Sequence, residues 1–482
     1  MLFNTWQFAI FLLIVFPIYW IVPHKYRWGV LLVASYYFYM CWNAKYLLLI
    51  LFTTVVSYIC ALLLEKQEDT KKKKAIVFAA AGICLGVLFV FKYFNFLADT
   101  VNNALKCFGG ETQMNTLDLL LPVGISFYTF QTLSYVIDVY RHDIKAEHHF
   151  GYYAMYISFF PQLVAGPIER AGNLLPQFKQ EQKFSYKEGT YGLKMMAWGL
   201  FKKMLIADLI ARYVDVVYTN VHSYTGFAFV IASVLFSIQI YCDFSGYSDM
   251  ALGIARLFGI KLMNNFEQPF FAYSIKEFWR RWHISLSSWF RDYVYIPLGG
   301  NRAGRWKYCR NQMITFLLSG LWHGANWTFL IWGGMHGIFQ VIEKIFRLPR
   351  KNDRLTRIFG SVIVFSLVIL AFIFFRASSV SDAVYVITHL LDGIIAPATY
   401  VRDGYIALEI TAVELMTFMA PIALLFIFDF ISLKQDVIEL VSRQKLIVRW
   451  SIYIVFVVWI LYDIQYILGA SNMAQKFIYF DF

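Results

Sequence analysis

Long apolar runs alternate with short polar or basic loops along nearly the whole chain. A helix needs about 17–25 apolar residues to cross the hydrocarbon core of a bilayer, and several segments approach or reach that length. The predicted spans are residues 6–22, 28–42, 46–64, 75–97, 119–139, 190–218, 226–258, 312–343, 357–376, 411–432 and 447–468. This pattern predicts an all-α fold, a polytopic transmembrane helical bundle that forms a single domain over residues 1–482.

Two apolar regions have features that a simple span lacks. Pro161, Gly166 and Pro167 interrupt the region 150–180, and the region 266–300 is rich in aromatic and basic residues. Irregular backbone is tolerated at membrane depth only where protein or a water-filled cavity surrounds it. We therefore expect re-entrant or interfacial helices in both regions, and a cavity inside the bundle.

The run 312–343 is too long for one untilted span, because it would measure about 48 Å as a continuous helix. Glycines such as Gly320 and Gly324 could break it into two half-helices, with His323 near the apex. A single long tilted helix is the alternative. The sequence alone leaves both arrangements open.

Of the 482 residues, 59% are hydrophobic and only 15% are charged, whereas a soluble domain carries about 25% charged residues. This composition excludes a soluble enzyme with one membrane anchor. The net charge of +12 comes from basic residues scattered among short loops, so it does not indicate a nucleic-acid partner. Basic loops stay on the cytoplasmic side of a membrane. The run Lys71–Lys74 and the basic loops 302–310 and 347–357 are therefore predicted to lie inside, and the C-terminus outside. Six cysteines without a CxxC pair predict neither a metal site nor a disulfide.

His323 is the first candidate for chemistry, because it lies inside the apolar run 312–343. An ionisable side chain at membrane depth is costly, and it usually faces the bundle interior and marks a proton relay or a reaction centre. A neutral imidazole there can act as a general base on a hydroxyl. The alternative is a histidine that only forms hydrogen bonds between helices.

His283 lies in an aromatic and basic segment, residues 278–293. Arg280, Arg281 and Arg291 in this segment can pair with the phosphates of a pyrophosphate or phosphopantetheine donor. An interfacial anchor with snorkelling arginines explains the same pattern. The residues alone leave both interpretations open.

Asp243 and Asp249 lie within the predicted span 226–258, where carboxylates need partners. We expect a structural or cavity-shaping role for them, with Arg256 or Arg280 as candidate partners; a cation path and direct catalysis are the alternatives. The chain has no GxSxG, P-loop or HExxH motif.

Five segments together resemble one protein family, and they follow one another in order along nearly the whole chain. They are LPVGISFYTFQTLSYVIDVYR (121–141), FFPQLVAGPIER (159–170), YCDFSGYSDMALGIARLFGI (241–260), FWRRWHISLSSWFRDYVYIPLGGN (278–301) and SGLWHGANWTFLIWGGMHG (319–337). The set is similar to the membrane-bound O-acyltransferase family, specifically its bacterial alginate O-acetylase branch. That branch includes relatives that acetylate peptidoglycan and cellulose.

The resemblance implies a central tunnel for an activated acyl donor, with His323 as the catalytic histidine and His283 as the second characteristic polar position. It also implies a bacterial cytoplasmic (inner) membrane location. Acetyl-CoA is the expected donor, and Trp322 or Asn326 would stabilise the oxyanion. A separate SGNH-type acetyltransferase partner would pass the acetyl group to an extracytoplasmic polysaccharide. No permanently bound cofactor or metal is expected.

The aromatic tail 475–482 resembles the tail of this branch and the partner peptide of the teichoic-acid D-alanylating relatives. Tyr479 is therefore predicted to be a transient acyl carrier, and docking of the tail in an apolar groove is the alternative. D-alanyl transfer to teichoic acid, a transporter and a non-enzymatic scaffold are the competing functions. A transporter would show two similar halves, whereas the second half of this sequence does not resemble the first.

Overall fold

The computed structural model of the protein describes residues 1–109, 114–164, 166–302, 304–346 and 354–470, and these residues form helices and loops with no β-strand. The prediction of an all-α fold is confirmed. Within the described residues, five helical stretches are long and apolar enough to cross a membrane, so the chain is a multi-pass membrane protein. These stretches are His24–Lys66, Thr70–Cys107, Phe227–Leu257, Leu355–Arg376 and Ala412–Ser432.

The helices divide between two compact units. The first unit comprises Met1–Met196 and Met250–Met263, and the second comprises Ala197–Asp249 and the described residues from Asn264 onward. Whether the chain functions as a single domain stays a prediction.

The first unit is built from ten helices among the described residues, the last of which continues into the second unit. They are α1 (Trp6–Ile21), α2 (His24–Asn43), α3 (Leu47–Lys66), α4 (Thr70–Leu88), α5 (Phe94–Cys107), α6 (Ile125–Tyr140), α7 (Phe150–Ser158), α8 (Phe160–Leu163), α9 (Ala171–Lys179) and α10 (Tyr186–Leu200). Helix α6 is buried on nearly every side, against α3, α4 and α7. Polar side chains link these helices: Tyr153 donates to Ser57 Oγ at 2.6 Å, and Tyr135 Oη accepts from the Glu147 N–H at 2.8 Å.

The second unit begins with a π-helical segment, Phe201–Asp208. Its further helices are α11 (Leu209–Thr219), α12 (Phe227–Leu257, which ends in the first unit), α13 (Ile275–Arg281), α14 (Ile284–Phe290), α15 (Arg305–His323), α16 (Trp327–Ile345), α17 (Arg354–Arg376), α18 (Val380–His389), α19 (Pro397–Ala407), α20 (Ala412–Ser432), α21 (Val437–Ser442) and α22 (Leu446–Ala470). The two irregular regions of the sequence appear as short helices: α7 to α9 in residues 150–180, and α13 and α14 in residues 266–300.

Helices α15 and α16 form a hairpin, so the long apolar run is broken and a single tilted helix is excluded. The Asn326 side chain caps α16 by accepting from the Thr328 N–H at 3.1 Å. A Cβ on Gly320 would lie 2.2 Å from the Phe329 carbonyl oxygen, and one on Gly333 would lie 2.3 Å from the Phe316 carbonyl oxygen. Glycines therefore let the two helices touch backbone to backbone. His323 is the last residue of α15 and lies at the break.

Candidate active site

His323 and His283 meet in the interior of the second unit. Their ring centroids are 6.1 Å apart, although 40 positions separate them in the sequence. His323 is 2% exposed, and His283 is fully buried. The two histidines that sequence analysis proposed separately therefore belong to one cluster.

Aromatic rings surround the His323 imidazole. Its centroid lies 5.0 Å from Trp322, 4.9 Å from Trp332 and 5.5 Å from Phe375. These rings keep bulk water away from the imidazole. Electrostatic interactions and proton transfers in such a dry site are less screened than in solvent.

His283 occupies an unusual backbone conformation at the junction of α13 and α14. Its φ of 43° and ψ of 54° are left-handed, which is uncommon for a residue with a side chain. The imidazole packs edge-on against Phe244, with 4.6 Å between centroids. His283 lies outside the helices that are long enough to span a membrane, and burial lowers its pKa from 6.5 to about 3. The ring is therefore neutral at physiological pH.

A cavity of about 1030 Å³ approaches this pair of histidines. Helices α13 to α16 and the adjoining loop supply its walls. The charged lining residues are Lys276, Arg280, Arg291, Arg305, Glu343 and Lys344, and the deeper walls include Thr315, Phe316 and Ser319. Five cations against one carboxylate, counted over the part of the chain that the structure describes, make this cavity electropositive.

One face of α15 leads along the cavity towards His323. Arg305, Gln312 and Ser319 all line it, and exposure falls from the exposed Arg305 to the buried Ser319. Ser319 lies 14 positions after Arg305, which is a rise of about 21 Å along the helix. His323 lies four residues beyond Ser319, on the same helix face. The cavity thus reaches to about one helical turn from the candidate base.

The structure separates the three arginines that sequence analysis grouped together. Arg280 and Arg291 line the cavity and are exposed, and Arg291 also pairs with Asp292 at 2.7 Å. Arg281 does not line the cavity. It forms an ion pair with Glu277 at 2.6 Å, which holds α13 together.

Trp322 and Asn326 lie on either side of the helix break. Trp322 is buried beside both histidines, with 5.8 Å between its centroid and that of His283. Asn326 is half-buried, and its amide serves the local backbone by capping α16 and donating to the Ser378 carbonyl at 3.4 Å. Tyr479 and the tail 475–482 lie outside the described residues.

Two buried lysines, which the sequence did not single out, pair with the carboxylates of α12 and its surroundings. Lys202 pairs with Asp249 at 2.7 Å, and Lys203 bridges Asp208 at 2.8 Å and Asp243 at 2.6 Å. The expectation that Arg256 or Arg280 is the partner of these carboxylates was wrong.

The reason for the error is visible in the distances. Arg256 lies 3.1 Å from Glu188, and Arg280 faces the cavity. The adjacent lysines at 202 and 203, inside the apolar run 190–218, were the available signal, since buried cations need carboxylates as much as the reverse.

Trp279 connects the cavity to a third buried histidine. Its indole lines the cavity, and its Nε1–H donates to His336 Nδ1 at 3.3 Å. His336 in turn packs against Trp332, with 5.0 Å between centroids. Within the described part of the chain, no three His, Cys, Asp or Glu residues are arranged to hold a metal ion.

Comparisons with known proteins agree on one family. The family model described as MBOAT, membrane-bound O-acyltransferase family, matches residues 144–380. A protein of Pseudomonas putida named "Probable alginate O-acetylase AlgI" is 38% identical over 79% of this chain and 78% of its own length. A peptidoglycan O-acetyltransferase of Helicobacter pylori is 36% identical over 74% of this chain and 72% of its own length. A teichoic acid D-alanyltransferase of Streptococcus thermophilus is 28% identical over 54% of this chain and 69% of its own length.

Proposed function

This chain belongs to the membrane-bound O-acyltransferase family and is an acyltransferase, and from that premise we propose what it transfers and to where. It takes an acetyl group from cytoplasmic acetyl-CoA and carries it across the membrane for O-acetylation of an extracytoplasmic polysaccharide. Alginate, cellulose, peptidoglycan and other wall glycans are the candidate acceptors. The observation that supports this proposal best is the electropositive cavity, whose lining includes Ser319, about one helical turn before His323.

The cavity suits a CoA thioester in both charge and shape. Exposed Arg280 and Arg291 form part of its wall, where guanidinium groups can bind phosphates in a bidentate manner. The deeper walls at Thr315, Phe316 and Ser319 offer hydroxyl and aromatic surfaces for an uncharged arm. In this proposal the nucleotide stays among the cations, and the thioester reaches towards the histidines.

His323 acts as the general base. It takes the proton of the acceptor hydroxyl as that oxygen forms a bond to the thioester carbonyl carbon. The C–S bond then breaks, and the thiolate recovers the proton from the imidazolium, so that ester and free thiol are the products. We assign Trp322 to stabilise the oxyanion. Asn326 can contribute only if its amide turns away from the Ser378 carbonyl.

The acceptor hydroxyl belongs to Tyr479 or to a side chain of a partner protein. A covalent carrier of this kind divides one difficult transfer into two easier steps. An SGNH-type acetyltransferase outside the bacterial cytoplasmic membrane then delivers the acetyl group to the polysaccharide. No CoA pool exists on that side, so the acyl group must cross while the donor stays inside.

D-alanyl transfer to teichoic acid is the second candidate, because a D-alanyltransferase is among the relatives. The fused aromatic tail favours acetylation, since the D-alanylating branch keeps its peptide as a separate chain. An inactive scaffold would not need a base at position 323, and a transporter would show two similar halves, which are not evident in this sequence.

The test uses the purified full chain in nanodiscs with radiolabelled acetyl-CoA, or with a D-alanyl carrier protein as the alternative donor. We expect label to appear on the protein from acetyl-CoA only, and the His323→Gln variant to lose labelling at least 1000-fold. Label from the D-alanyl carrier alone would establish the second candidate. Undiminished acetylation by His323→Gln would refute the role of His323 as base.

A further inference from the structure

The turn that carries His283 is held in a conformation that the residue would not adopt alone. Its φ of 43° places the backbone in the left-handed region. This conformation costs free energy for a residue with a β-carbon, and it persists only where neighbouring contacts enforce it. On the α13 side, Trp282 N–H donates to the Phe278 carbonyl at 2.8 Å, as an ordinary helix end would. On the same side the Glu267 N–H donates to the Arg281 carbonyl at 2.9 Å, and further contacts lie after His283.

Asn265 supplies those contacts. Its backbone carbonyl accepts from the Ile284 N–H at 2.9 Å. Its side-chain Oδ1 accepts from the Ser285 hydroxyl at 2.6 Å and from the Ser285 N–H at 3.3 Å. One residue thus clamps the two positions that directly follow His283 with three hydrogen bonds.

The Asn265 side chain is poorly explained as a packing residue. It is 1% exposed, and its Nδ2 has no hydrogen-bond partner among the described residues. A buried donor without a partner costs stability, and an apolar side chain would avoid that cost. The acceptor half of the amide is therefore the part that the turn uses.

We propose that Asn265 is a positioning residue for the acyl transfer, which acts by locking the left-handed turn that aims His283 at His323. This inference rests on the proposed function, with His283 as the second functional histidine that the resemblance implies beside the base His323. Asn265 does not line the donor cavity. Its loss should therefore lower kcat and leave the KM for the donor nearly unchanged.

The test compares Asn265→Ala with Asn265→Asp in acetyl transfer from labelled acetyl-CoA. We expect Asn265→Ala to lower kcat about 100-fold with a change in KM below about threefold, since small misplacements of catalytic groups have effects of that size. Asn265→Asp keeps oxygens that accept from Ser285, so it should recover kcat to within about tenfold of wild type. Ser285→Ala, which removes only the 2.6 Å bond, should give a smaller loss and serves if Asn265→Ala does not fold.

Asn311→Ala is the matched control. Asn311 is also fully buried in this unit, and its amide donates to the Leu298 and Gly300 carbonyls at 3.1 and 3.0 Å. We expect it to lower the melting temperature as Asn265→Ala does and to keep kcat. If both variants lose kcat in proportion to stability, or if Asn265→Ala keeps wild-type kcat, the proposal is overturned.

Hydrogen–deuterium exchange of the peptide 279–290 tests the clamp without reference to activity. Asn265→Ala should speed exchange of the Ser285 amide, and Asn265→Asp should not. Unchanged exchange in Asn265→Ala overturns the clamp. If His283→Ala keeps full activity, His283 has no part in the reaction and the positioning role of Asn265 is overturned. If wild type transfers no acetyl group, the proposed function fails instead, and the exchange result still decides whether Asn265 holds the turn.

Discussion

Neighbouring arginines in α13 give the sharpest test of how the donor binds. Arg280 lines the electropositive cavity, whereas Arg281 is held by Glu277 at 2.6 Å and does not line it. Both residues lie in the last turn of the same short helix. The variants Arg280→Gln and Arg281→Gln therefore remove the same charge at nearly the same place, and only one of them alters the proposed donor site.

The expected magnitude follows from the exposure of Arg280. A hydrogen bond to a charged group contributes about 1.5–3 kcal/mol, and exposed ion pairs contribute less, about 0.2–1 kcal/mol, because solvent screens them. Arg280 is exposed yet faces a concave basic wall, so we expect a loss of about 1–2 kcal/mol. This corresponds to a KM for acetyl-CoA about 5- to 30-fold higher, with kcat nearly unchanged.

The assay measures initial rates of acetyl transfer at several acetyl-CoA and salt concentrations. The KM of wild type should rise with ionic strength, and the KM of Arg280→Gln should rise less steeply because one screened interaction is gone. Arg281→Gln should keep the wild-type KM and lose some stability. Equal KM values for both variants, or a larger effect at Arg281, would refute the assignment of this cavity to the donor.

Three further predictions address the cavity, His283 and the tail. Ser319→Trp should fill the deep end of the cavity and abolish transfer while Ser319→Ala remains active; an active Ser319→Trp enzyme would show that the thioester takes another route. His283 is neutral in the fold because burial lowers its pKa from 6.5 to about 3, so the unfolded chain binds the extra proton and stability falls as pH drops below about 6.5. Between pH 7.5 and 5 this loss should reach about 2 kcal/mol, and thermal unfolding of His283→Gln should show a correspondingly weaker pH dependence, whereas equal slopes would contradict it. Tyr479→Phe should eliminate acetyl label on the chain, and retained activity would remove the carrier hypothesis.

The break in the apolar run 312–343 shows where pattern and packing each contributed. The run and its glycines predicted either two half-helices or one long tilted helix. Close approach of the Gly320 and Gly333 backbones to the facing helix, together with the Asn326 cap, decides for a hairpin. Such contacts depend on which residues of two helices meet, and hydropathy carries no information about that.

The predicted cation partners of Asp243 and Asp249 were wrong for a related reason. Carboxylates within a membrane span need partners, and this correctly predicted that Asp243 and Asp249 are paired. It did not identify which of several cations is the partner. Lys202 and Lys203 are the partners because they lie in the π-helical segment Phe201–Asp208, which follows α10, and reach the two carboxylates on α12. The sequence shows that a carboxylate lies within a membrane span and needs a cation, and only the three-dimensional packing shows which cation it contacts.

The sequence by itself determined the helical membrane architecture and identified His323 as the candidate base. Both follow from local properties, namely the length of apolar runs and the cost of a polar group within them. Only the tertiary structure decided that His283 stands 6.1 Å from His323, and that Arg280 rather than Arg281 lines the cavity. Those facts depend on a strained turn and on the orientation of a short helix, which arise from contacts between residues far apart in the chain.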